Sequence, residues 1–163
     1  MLKMMRNCHF LFAIMSGMNI HFICRGNVFR SLVAETYLKS LKLDGINVIS
    51  SGTNVNWDDA KEREYFSNTL RLLKRHGIID YAKNKPDQLD QARIDQFSDV
   101  TVLMNERVVN EANKIIQLPE DVHNWMIVDI GEGHRTNEDE REQYEEDIYQ
   151  EIIQKVDELL SVR

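Results

Sequence analysis

Cys24-Arg25-Gly26-Asn27-Val28-Phe29-Arg30-Ser31 follows directly on the short, mainly apolar run Ile20-His21-Phe22-Ile23. Gly26 and Asn27 are the residue types that most easily take left-handed backbone conformations. Ser31 opens a strongly helical segment, so the order is strand, tight loop, helix N-terminus. That order builds an anion cradle: loop N–H groups converge on one point, and the helix dipole adds positive potential there. A cysteine at the first position of such a cradle is disposed to ionise, because the loop amides and Arg30 favour a thiolate. The stretch therefore predicts a phosphate-sized anion held against a nucleophilic sulfur.

The rest of the chain supplies a frame for this loop. With 163 residues there is enough for one domain. The composition, 42% hydrophobic and 29% charged, is that of an ordinary globular protein. A net charge of −7 and no basic patch exclude nucleic acid as a partner. Two cysteines, Cys8 and Cys24, are too few for a disulfide framework or a four-cysteine zinc site. Cys8 reads as a small buried hydrophobe. Residues 1–17 carry a short basic start and an apolar run too short to span a membrane. Met18 is a natural start for the domain, and residues 1–17 read as an upstream extension or a misassigned start. A thiolate nucleophile suits the reducing cytoplasm.

Periodicity and breakers predict strands at Asn19–Ile23, Ile46–Ser50, Asp99–Met104 and Trp125–Val128. Helices are predicted at Leu32–Leu43, Ala60–His76, near Gln88–Gln96, at Glu106–Ile116 and from about Glu138 to the end. Gly45 and Gly77 read as helix stops, and Thr136 with Asp139 as a capping box for the last helix. The acidic residues between Glu138 and Glu158 alternate with Ile148, Ile152, Ile153, Val156, Leu159 and Leu160 at helical spacing, which makes them a solvated helix face. Strands alternating with helices predict a single α/β domain over 18–163, with a four-stranded parallel sheet doubly wound by helices on both faces. Ligands of such sheets bind at the carboxyl ends of the strands. The Cys24 loop, the loop containing Trp57 and the loop from Asp129 to Asn137 all open there.

The string Cys24-x-Gly26-Asn27-x-x-Arg30-Ser31-x-x-Ala34-Glu35 resembles the low-molecular-weight protein tyrosine phosphatase family, whose loop thioredoxin-coupled arsenate reductases share. The resemblance implies metal-free, cofactor-free, two-step phosphoryl transfer. Cys24 is then the nucleophile, and Arg30 a planar fork for two phosphate oxygens. The amides of residues 25–30 hold the transition-state charge. Ser31 stabilises the thiolate as leaving group, and Asn27 ties the loop together. The family's general acid is an aspartate after the last strand, which places Asp129 in that role. Ile130 and Gly131 follow it where the family has proline and an aromatic residue, and Glu132 and His134 in the same loop are alternatives. The family's tyrosines after that motif are missing.

Trp57 matches a tryptophan of the family's second loop, and reads either as a wall for an aryl ring or as packing. Asp58 and Asp59 replace a histidine and a glycine after it, giving an acidic rim. Met104-Asn105 stands for the family's Met-Asp. Phe29 replaces the second loop cysteine of many relatives, so their protective intraloop disulfide cannot form. Val28, where protein-arginine phosphatases have threonine, favours aryl phosphates. Arg25 either meets substrate at the rim or is solvated. His21, His76 and His123 are isolated.

Three readings follow. The first is a phosphatase acting on a phosphorylated protein or a small aryl phosphate, as a monomer or weak dimer, with protein-arginine phosphatase as the variant. The second is a non-catalytic phosphate-binding module. The third, an arsenate reductase, needs two further cysteines to relay the disulfide, and none follows Cys24.

Overall fold

The structure is a computed structural model and describes residues 17–132 and 137–162. The readings of Cys8, His134 and residues 1–16 lie outside the described residues. Four strands form one parallel sheet in the order β2-β1-β3-β4: β1 Met18–Cys24, β2 Ile46–Gly52, β3 Val100–Leu103 and β4 Val122–Asn124. Five helices surround it: α1 Arg30–Ser40, α2 Ala60–Arg75, α3 Gln91–Gln96, α4 Glu106–Ala112 and α5 Glu138–Ser161. This is the single α/β domain that the alternating pattern predicts.

Strand alternation sorts the core into two layers. From β1, Ile20, Phe22 and Cys24 join Val33, Leu38, Leu72, Ile148, Ile152 and Val156 on the face covered by α1, α2 and α5. Ile23 points the other way, with Leu103, Ile94, Val108 and Ala112, under α3 and α4. Both faces are covered, as a parallel sheet requires. Because β1 lies between β2 and β3, the chain leaves the sheet in opposite directions on its two sides. Cys24 ends β1 at that switch point, where a crevice opens.

Helix ends follow local chemistry. Gly77 stops α2 at φ 72, with its amide on Lys74 O at 3.0 Å and the Ile78 amide on Leu73 O at 3.0 Å, a Schellman ending. α1 ends at Ser40, earlier than expected, and Lys42 at φ 50 turns the chain before Gly45 does. The cap of α5 is Asn137, which accepts the Glu140 amide at 2.9 Å; the reading of Thr136 lies outside the described residues. Asn105 caps α4 by accepting the Val108 amide at 3.0 Å, so asparagine serves there as aspartate would.

The fourth strand is a correction. It spans Val122–Asn124, the three residues that immediately precede the apolar run Trp125–Val128. Met126 at φ 57 breaks that run, burying Trp125 and Ile127 while leaving Met126 and Val128 exposed. The Ile127 amide still reaches Met104 O at 2.7 Å, which carries the chain across the carboxyl end of the sheet.

Candidate active site

The site is built on one loop, Cys24 to Arg30, between β1 and α1. Asn27 sits at φ 56, the left-handed turn its residue type tolerates. Its amide points back to Cys24 Sγ at 3.2 Å. α1 begins at Arg30 with Phe29 as its N-cap; no side chain caps it and no acidic residue lies in its first turn. Its first N–H groups are thus left for an anion rather than for the protein's own oxygens.

Gly52 makes the cradle possible. A Cβ on it would lie 2.5 Å from Arg25 O and 2.9 Å from Asn27 N, so only glycine lets β2 approach the loop this closely. The approach is fixed by the Thr53 amide on Cys24 O at 3.0 Å and the Asn54 amide on Arg25 O at 2.9 Å.

Behind the sulfur runs a closed polar network. Asn27 Nδ2 donates to Ser31 Oγ at 2.7 Å and to Ser50 Oγ at 2.8 Å. Its Oδ1 accepts from Lys83 Nζ at 3.0 Å and from the Asp87 amide at 2.9 Å. The Ser31 hydroxyl, which accepts from Asn27, lies 3.0 Å from Cys24 Sγ, and it is the donor of that pair when the sulfur is a thiolate. Ser50 in turn donates to the buried carboxylate of Glu35. Lys83 closes the ring, reaching Ser50 O at 2.7 Å, Asp87 at 3.0 Å and Glu35 at 3.2 Å. Lys39 pairs with the other Glu35 oxygen at 2.6 Å. Each buried charge thus has a partner of opposite sign.

Arg30 is 3% exposed and draws the last loop over the cradle. Its Nη1 donates to Ile127 O at 3.0 Å and its Nη2 to Asp129 Oδ2 at 2.6 Å. Tyr144 of α5 donates to Asp129 O at 3.4 Å. Asp129 is therefore brought against the proposed fork, as its place after the last strand implies. Glu132 lies exposed beyond it, with its amide on Asp129 O at 3.0 Å. Arg25 is not simply solvated. It pairs with Glu111 of α4 at 3.3 Å, a carboxylate also held by Thr53 at 2.6 Å and Arg107 at 3.1 Å. Trp57 packs edge-on against Phe66, centroids 5.2 Å apart, and keeps 37% of its surface exposed.

Among the described residues no cluster of three histidine, cysteine or acidic side chains is placed to hold a metal, and no helix is long and apolar enough to cross a membrane. Of the isolated histidines, His76 stacks on Tyr149 and pairs with Glu146 at 2.9 Å. His21 is fully buried beside Ser51 Oγ at 2.7 Å, and burial pushes its pKa down to about 3.

The profile of the family described as low molecular weight phosphotyrosine protein phosphatase matches residues 19–162. The chain belongs to this family. Solved structures agree on the fold. The tyrosine phosphatase Wzb from Escherichia coli, solved with sulphate, superposes with a TM-score of 0.61 at 17% identity, covering 87% of this chain and 95% of that one. The YwlE arginine phosphatase, known from Bacillus subtilis, gives 0.59 at 18% identity over 87% and 95%. A thioredoxin-dependent arsenate reductase from Corynebacterium glutamicum gives 0.58 at 20% identity over 93% and 67%. Comparison with curated protein sequences gives no match. Membership of the phosphatase family makes the protein a phosphatase by descent and a binder of phosphorylated substrate.

The family resemblance marks Glu35 only within the Ala-Glu pair of the helix. Nothing in the sequence marks Lys83, Asp87 or Glu111 as part of the site. They act from 56 to 86 residues away from the loop, and a single sequence carries no signal for such convergence.

Proposed function

We propose that the protein hydrolyses phosphotyrosine-type phosphomonoesters through a cysteinyl-phosphate. The observation that carries this reading is the Cys24 sulfur, received by the Asn27 amide at 3.2 Å and the Ser31 hydroxyl at 3.0 Å, at the foot of an uncapped helix. A module that only binds phosphate has no use for a sulfur so supported.

In the first step Cys24 Sγ attacks phosphorus and the bond to the leaving oxygen breaks. Arg30 and the amides of residues 25–30 hold the equatorial oxygens. As Arg30 turns to the phosphoryl oxygens, Asp129 in its carboxylic acid form gives the leaving oxygen its proton and is left as the carboxylate. In the second step water attacks phosphorus, Asp129 takes the water's proton, and the P–S bond breaks. The departing thiolate returns to the hydrogen bonds of Ser31 and Asn27. Asp129 is favoured over Glu132 because its carboxylate stands at Arg30, 2.6 Å from the group that binds the phosphoryl oxygens. Trp57 forms one side of the aryl pocket. Val28, with its branched apolar side chain in the loop, supports an aryl rather than a guanidinium leaving group. A free thiol nucleophile also makes the reducing cytoplasm the compartment for this chemistry.

The test is hydrolysis of an aryl phosphate by the purified protein, beside Cys24→Ser and Asp129→Asn. Cys24→Ser is expected to abolish turnover. Asp129→Asn is expected to lower it by about 10²–10⁴, the contribution of a positioned proton donor. Full turnover by Cys24→Ser sinks the mechanism. Unchanged turnover by Asp129→Asn moves the acid to another residue of the loop.

A further inference from the structure

Glu62, in the first turn of α2, lies against the cradle and no step above uses it. A Cβ placed on Gly26 would stand 2.6 Å from Glu62 Oε2 and 3.6 Å from its Cδ. The carboxylate thus fills the space a loop side chain would take, directly outside the ring of amides that receives the phosphate. Four charged groups face it. Asp129 comes from the last loop, Arg25 from the cradle, and Asp59 and Lys61 from the start of α2 itself. The two cations are engaged elsewhere: Arg25 is turned to Glu111 at 3.3 Å, and Lys61 lies over the Tyr65 ring at 5.6 Å. Asp129 is already matched by Arg30 at 2.6 Å. Burial, and next the charge of Asp129, raises the Glu62 carboxyl above its ordinary value.

We propose that Glu62 is a specificity-determining residue whose carboxylate, seated on the cradle at Gly26, selects phosphorylated residues flanked by basic side chains. The reasoning is electrostatic and rests on the phosphatase reading. A negative charge beside the cradle repels every phosphate alike. A substrate that brings its own lysine or arginine to the mouth turns that repulsion into attraction, and one that brings an acidic neighbour adds to it. For unit charges roughly 6–8 Å apart in a half-screened mouth, the effect is about three- to tenfold in affinity. The acidic rim of Asp58 and Asp59 acts in the same direction.

The experiment compares the full chain with Glu62→Gln, a change that keeps the shape and removes the charge. Two phosphotyrosine peptides are used, identical except for lysine and arginine or aspartate and glutamate around the phosphotyrosine. Inorganic phosphate binding is measured by calorimetry on both proteins. The wild-type protein is expected to favour the basic peptide in kcat/KM by about tenfold or more. In Glu62→Gln this ratio falls about three- to tenfold, and phosphate binds more tightly by a similar factor. An unchanged ratio and unchanged phosphate affinity, in a variant that melts like wild type, overturn the proposal. If the wild-type protein hydrolyses neither peptide, the phosphatase reading has failed. The role of the Glu62 charge is then decided by calorimetry alone: tighter phosphate binding in the variant upholds it and unchanged binding removes it.

Discussion

Gly52→Ala tests whether the cradle depends on the strand beside it. The added methyl meets Arg25 O at 2.5 Å, Asn27 N at 2.9 Å and Val55 Cγ2 at 2.9 Å, where ordinary contact begins near 3.4 Å. Two of these three neighbours are backbone atoms of the cradle, which cannot rotate away. To restore contact distance, the Arg25 carbonyl has to retreat by about 0.9 Å, and a misplacement of ~1 Å in a positioned site can lower turnover about 10²-fold. The retreat also stretches the bonds from the Thr53 and Asn54 amides that hold the loop. Overpacking of this kind costs about 1–3 kcal/mol, which is roughly 2–10 °C in melting temperature for a chain of this length. The control is Gly77→Ala, where φ is 72 but a Cβ meets nothing within 4 Å. It costs about 1–2 kcal/mol of backbone strain at a distance from the loop. The assays are a thermal melt, phosphate calorimetry and aryl phosphate turnover on both variants. Gly52→Ala is expected to lose phosphate affinity and turnover out of proportion to its stability, while Gly77→Ala loses stability alone. Wild-type phosphate affinity in a folded Gly52→Ala protein would falsify the close-approach argument.

Asp129→Asn frees Arg30 from its ion pair, so inorganic phosphate should bind several-fold more tightly even as turnover falls; weaker binding in calorimetry would show that the pair does not compete with the anion. Lys83→Met removes the cation shared by Glu35, Asp87 and Asn27 and leaves buried carboxylate charge uncompensated, a loss of about 3–5 kcal/mol. Chemical denaturation that shows less than ~1 kcal/mol would mean that Lys39 alone suffices for Glu35. His21 stays neutral in the fold, with its pKa lowered to about 3 from 6.5. Below pH 6.5 the unfolded chain takes up a proton that the folded one refuses, so stability falls as pH drops through that window, by about 2 kcal/mol from this residue between pH 7 and 5. In His21→Gln, urea melts at the two pH values should differ by that much less; an equal difference would locate the acid sensitivity elsewhere.

What the sequence discloses is set by distance along the chain. The cradle is eight consecutive residues, and their types point to the turn, the amide ring and the helix start, although the loop is also held from outside by Gly52 and the amides of Thr53 and Asn54. The alternation of β1 and the glycine ending of α2 are equally local. The fourth strand lies before the apolar run and not in it because apolar content is a poor guide at a sheet edge. Val122–Asn124 is only partly covered and needs to pair with β3 alone, whereas Trp125–Val128 owes its apolar character to covering the core with irregular backbone. The ring through Lys83 and Glu35, and the seat of Glu62 on Gly26, are products of tertiary convergence. Each of those residues, read in its own helix or loop, looks like a solvated charge.

The bond between Arg30 and Asp129 joins residues 99 apart in the chain, and that bears on how the protein is made. During synthesis at about 5–20 residues per second, the nucleophile loop leaves the ribosome several seconds before the segment that completes its site. β1, β2 and the cradle between them can pair early, since their contacts are short in sequence. The Asp129 carboxylate and the Ile127 carbonyl that hold Arg30 arrive only after about a hundred further residues have been added. A nascent chain therefore carries Cys24 and its loop before the segment that pairs with Arg30 exists, and on the proposed mechanism it has the nucleophile before the acid.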